Sequence, residues 1–93
     1  MDDIYKQVIA LQDKFRGYVD APNDPRAVQL RNEIQALEND VQSKKHKFSI
    51  EDRIKRVLNI VLNLNDTTVM DFSDKDDLKD RLEELRQEVR KLP

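Results

Sequence analysis

SIEDRIKRVLNIVLNLN, residues Ser49–Asn65, is the densest apolar run in the chain, and its reading decides the fold. Set on a helix of about 100° per residue, Ile50, Ile54, Val57, Val61 and Leu64 fall on one face as an ordinary core stripe. Leu58 and Leu62 widen that stripe on one side and Ile60 on the other. The apolar arc reaches roughly 200°, against the roughly 100° of a surface helix. Such a helix must be covered on two sides, by its own chain or by a partner. Leu58, Ile60, Leu62 and Leu64 also alternate like a strand, but the helical stripe already begins at Ile50, so a helix is expected.

Three flanking stretches share the helical period. Upstream, Ile4, Val8, Leu11, Phe15 and Tyr18 predict a helix over residues 2–18, with Gly17 near its end as a stop signal. Asp20–Pro25 (DAPNDP) is a loop, because residues before proline avoid the helical region. Asp24-Pro25 also reads as an N-cap followed by proline at the first helical position. Ala27, Leu30, Ile34, Leu37 and Val41 then carry a second helix over 25–46, with Val28 off that face as a candidate second contact.

The pattern fades into SKKHKF (Ser43–Phe48), where Phe48 is expected to turn inward. Ser49 with Asp52 makes a capping box, which starts the third helix at about residue 50 and takes it to 64. Asn65–Thr68 is a turn cluster, and Val69, Met70 and Phe72 are expected to close one end of the core. Ser73 with Asp76 repeats the capping box, and Leu78, Leu82, Leu85, Val89 and Leu92 form a narrow seam over 74–91. Acids gather early in that last helix and Arg86, Arg90 and Lys91 late, as the helix dipole favours.

Composition agrees with helices. Leu, Ile, Val and Phe make up 27 of the 93 residues, above the roughly 20% below which chains stay disordered. One glycine and three prolines are too few for a meander of short strands. The expected fold is a single all-α domain, an antiparallel four-helix bundle with short connections. One wide helix among three narrow ones implies either an irregular three-plus-one packing or uncovered surface on the third helix.

The net charge of −2 gives the whole molecule no electrostatic attraction for nucleic acid or anionic membrane. With no cysteine there is neither a disulfide framework nor a thiolate metal site. The start MDDIYKQ lacks the basic and apolar regions of a signal peptide. No run approaches the ~18 apolar residues of a membrane span. A soluble cytoplasmic protein is the expectation.

The inventory for catalysis is thin. The one histidine, His46, lies in the basic run KKHK, reads as a solvated helix-end residue, and has no nucleophile assigned to it. A calcium loop counted from Asp71 would need glycine at its sixth position and glutamate at its twelfth, where this chain has Asp76 and Leu82. One glycine cannot build a phosphate cradle. No enzyme activity, metal or cofactor is expected.

Two features point to binding. The surplus apolar width, Leu58, Ile60 and Leu62 with Val28, reads as a face for a protein partner or for a second copy in a homo-oligomer. The expected function is thus a non-enzymatic adaptor, chaperone or inhibitor. The alternative is nucleic-acid binding at a basic corner, where Lys44, Lys45, Lys47, Arg53, Lys55 and Arg56 would contact phosphates.

Overall fold

The four apolar stripes become four helices in the computed structural model, which describes residues 2–93. They are α1 (Asp2–Tyr18), α2 (Pro25–Gln42), α3 (Lys47–Leu62) and α4 (Phe72–Arg90). Close backbone approaches join α1 to α2, α2 to α3, α3 to α4, and α4 back to α1; among the described residues neither diagonal pair meets. Tyr5 bonds Gln42, Arg53 reaches back to Glu33 and Asp40, Glu51 meets Arg90, and Tyr18 meets Asp77, so every neighbouring pair is antiparallel. The result is a closed square, up-down-up-down, measuring 39 × 20 × 19 Å. The irregular three-plus-one packing does not occur.

The expected stripes form its axis. Ile4, Val8, Leu11 and Phe15 of α1 meet the Ala27–Val41 stripe of α2, the Ile50–Val61 stripe of α3 and the Leu78–Val89 stripe of α4, all buried. Val69 and Met70, each 1% exposed, close one end of this column together with Leu64. Among the described residues no polar or charged side chain is buried, so the core rests on apolar burial, at about 1.5–3 kcal/mol per large side chain.

Two helices end a little earlier than expected, α3 at Leu62 rather than 64 and α4 at Arg90 rather than 91, and three other helix ends depart with a visible cause. α2 stops at Gln42 rather than running to residue 46. Lys44 takes a left-handed φ of 55°, and the N–H groups of Lys44 and Lys45 return to the carbonyls of Val41 and Asp40 at 3.1 Å each. That is a Schellman turn with lysine at the position glycine usually fills. α3 starts at Lys47, capped not by Ser49 but by His46, whose Nδ1 accepts from Phe48 N–H at 3.2 Å. α4 starts at Phe72, capped not by Ser73 but by Asp71, whose carboxylate accepts from Asp74 N–H at 2.7 Å. The expected cap at Asp24 does form, accepting from Arg26 N–H at 2.9 Å ahead of Pro25.

These earlier starts turn two phenylalanines outward. Phe48 was expected inside and is 63% exposed; Phe72 was expected to plug the core and is 52% exposed. Both stand in the first turn of a helix, on the side away from its core stripe, once the helix begins before them.

Candidate functional site

The two sides of α3 are identified by their ion pairs. Arg53 faces α2, where it meets Glu33 at 2.9 Å and Asp40 at 3.1 Å. Glu51 faces α4, where it pairs with Arg90 and, at 3.6 Å, with Arg86. Arg90 first, and Arg86 after it, hold the Glu51 carboxyl below the usual range. Lys55, Leu58 and Leu62 follow Glu51 at i+4, i+7 and i+11, so they share its side of the helix, and Phe48 lies one turn before it, farther out. On α4, Phe72, Lys79, Arg86 and Arg90 line up in the same way on the side towards α3.

Phe48, Leu62 and Phe72, the large apolar residues exposed at 63%, 47% and 52%, therefore lie on one surface, the outer face of the α3–α4 pair. Two lysines fix the register of that pair. Lys47, at the start of α3, donates to the carbonyl of Leu92 beyond the end of α4 at 2.8 Å. Lys75, early in α4, donates to the carbonyl of Leu64 beyond the end of α3 at 2.6 Å. Each lysine satisfies a carbonyl that the neighbouring helix leaves without a partner. Lys47 also stands 5.6 Å over the Phe48 ring and Lys75 5.7 Å over that of Phe72, so both exposed rings are held beside a cation.

The four residues singled out for a protein contact are dispersed. Leu58, 7% exposed, is core against α4. Ile60 is half-buried on the opposite side of α3, packed against the core towards α2. Val28 is half-buried on α2, away from both α3 flanks. Of the four, only Leu62 is exposed on the α3–α4 face. Phe48 and Phe72, which complete that face, were missed because the helices were started two or three residues too late.

The six cations of the basic corner are also divided. Arg53 is held by Glu33 first and Asp40 second, which raises its proton affinity further, and Lys47 is bonded to Leu92. Among the described residues Lys44, Lys45, Lys55 and Arg56 have no ion-pair partner. A hollow of about 200 Å3 at this corner gathers Lys45, Arg53 and Arg56, but Asp40 and Asp52 line it as well. Acids at the rim weaken its attraction for a phosphate.

On the far side of the bundle, a groove of about 380 Å3 between α1 and α2 is lined by Phe15, Arg16, Val19, Pro22, Ala27 and Arg31. That lining holds no nucleophile and no base for covalent or acid–base chemistry. No three His, Cys, Asp or Glu side chains among the described residues are grouped to hold a metal ion, and no helix there is long and apolar enough to cross a membrane. No protein-family model, curated protein or solved structure matches the chain.

Proposed function

We propose that the chain is a non-enzymatic protein-binding module, an adaptor or inhibitor that works through the outer face of α3 and α4. One observation carries the reading: the exposed large apolar side chains, Phe48, Leu62 and Phe72, share that face. Single exposed apolar residues are ordinary, whereas several on one surface with charged neighbours are the usual mark of a protein contact. Aromatic anchors with a polar rim also match the composition of binding hot spots.

The chain has no cysteine, so an introduced one is a unique handle. A thiol-directed photo-cross-linker on Leu62→Cys is expected to give protein adducts in cells that make the protein. The same probe on Asn32→Cys, exposed on the outer side of α2, is expected to give few. Equal adduct formation from both positions would remove the α3–α4 face as the binding surface.

A further inference from the structure

We infer that the groove between α1 and α2 is a second site, which takes a small carboxylate with an apolar body. It lies on the side of the bundle away from the α3–α4 face and goes beyond the protein-binding reading. The Tyr5–Gln42 bond sets the register of the two helices. Eleven residues on from Tyr5 and eleven back from Gln42 stand Arg16 and Arg31, level with each other across the seam. Elsewhere, charge contacts between helices join opposite signs, Arg53 with Glu33 and Asp40, Glu51 with Arg86 and Arg90. Arg16 meets only an exposed Asp13 on its own helix, at 3.6 Å, and Arg31 has no ion-pair partner among the described residues. Like charges facing across a seam repel, and a local conflict of this kind, in a fold otherwise consistent, marks a place kept for a ligand.

The groove beneath the pair supplies the rest of the ligand's shape. Its hollow of about 380 Å3 continues along the seam into a second of about 130 Å3, and Phe15, Arg16 and Arg31 line both. The two guanidinium groups therefore stand where the hollows meet. Towards the α1–α2 loop the lining is apolar, with Phe15, Val19, Pro22 and Ala27; in the other direction Gln12 adds an amide. Ala27 is the smallest of the buried core residues, and its single methyl leaves room that a leucine there would fill. Among the described residues neither lining holds a carboxylate, whereas hollows elsewhere are lined by Asp40 and Asp52, by Glu84 or by Asp2. In a chain with 19 acids against 17 lysines and arginines, two cations without an acid select an anion. Guanidinium groups hold a carboxylate through paired N–H···O bonds, and a mostly apolar hollow of this size accepts the body attached to it. The head of the ligand lies between Arg16 and Arg31 and its body over Ala27.

Titration of decanoate, kept below its micellar concentration, into the isotope-labelled chain tests this by NMR. The backbone amides of Phe15, Val19, Ala27 and Arg31 are expected to shift and to saturate at one ligand per chain. Decanol, which lacks the charge, and acetate, which lacks the chain, are each expected to bind at least tenfold more weakly. Arg16→Gln and Arg31→Gln are each expected to weaken decanoate at least tenfold and to leave decanol as it was. Both variants are expected to melt no lower than the parent chain, since each removes a repulsion and no core contact. Decanoate that does not saturate, shifts confined to the α3–α4 face, or equal affinity for decanoate and decanol overturns the site. Decyl phosphate bound at least tenfold more tightly than decanoate overturns carboxylate as the head group. None of these results bears on the cross-linking contrast between positions 62 and 32, so the two readings fail separately.

Discussion

Leu58 and Leu62 are one helical turn apart on the same side of α3, yet they sit in different environments. Leu58 reaches the line where α3 meets α4 and is 7% exposed; Leu62 passes that line and is 47% exposed. Leu58→Ala is accordingly expected to cost about 2–4 kcal/mol, the loss of a buried side chain plus the space it leaves. Leu62→Ala is expected to change folding by no more than ~0.5 kcal/mol, as surface changes do. Urea titration of the two variants checks the contrast, and equal losses would place both residues in the core. Helical periodicity grouped the two because a wheel gives direction and not depth. How far a neighbouring helix overlaps each position is set by register, which the sequence of α3 alone does not carry.

At the scale of elements, apolar spacing was the legible signal and helix boundaries were the weak one. α1 appears over the expected residues, and the Asp24-Pro25 start of α2 is as read, because each rests on a local rule that tertiary contacts do not override. The end of α2 was misplaced by four residues because its stop signal is a conformation and not a residue type. A glycine at position 44 would have announced it; a lysine with φ of 55° does not. Left-handed backbone costs a residue with a Cβ roughly 1–2 kcal/mol. Lys44→Gly is thus expected to raise stability by about 0.5–1 kcal/mol, after the greater entropy of glycine in the unfolded chain is deducted. Thermal unfolding of the variant measures it, and a fall in Tm would show that Lys44 contributes something its backbone strain hides. The starts of α3 and α4 were read late for a related reason. Ser49 and Ser73 both match a capping box, but His46 and Asp71 lie ahead of them and supply the cap first. Those few residues decide whether Phe48 and Phe72 belong to the core or to the candidate face.

For the whole molecule, paired charges set the response to pH. Hydrogen bonds from Arg90 to Glu51, from Tyr18 to Asp77, from Thr68 to Asp66 and from Arg26 to Asp24 lower the folded pKa of each carboxyl. Groups with a depressed folded pKa add stability that is present above the unfolded value and is lost as pH falls through the folded one. Asp74 acts in the opposite sense: desolvation first, then Asp71, Asp20 and Asp77, push its pKa up, so acid relieves it. Four groups outweigh one, and stability is expected to decline below pH ~4, where carboxylates protonate. Tyr18 lies at the other limit. Its bond to Asp77 raises the phenol, so the stability of the neutral form is lost as pH climbs past the ordinary tyrosine value of about 10. Unfolding temperatures across the pH range are expected to show a plateau between these limits. A carboxylate-driven loss already at pH 6 would contradict the assignment.

The closed square also bears on how the chain finds its fold. Three of its four sides join helices that follow one another along the chain, through short turns, so their contacts cost little loop-closure entropy. The fourth, α1 beside α4, brings together segments separated by α2 and α3. It is secured by Tyr18 on Asp77 and by the Asp20 N–H bonded to the carbonyl of Val69 at 2.7 Å, which ties the two loops at one end of the bundle. Assembly can therefore proceed as a local zippering from helix to helix with a single long-range event, ring closure, and such low contact order belongs to the fast-folding class of helical proteins.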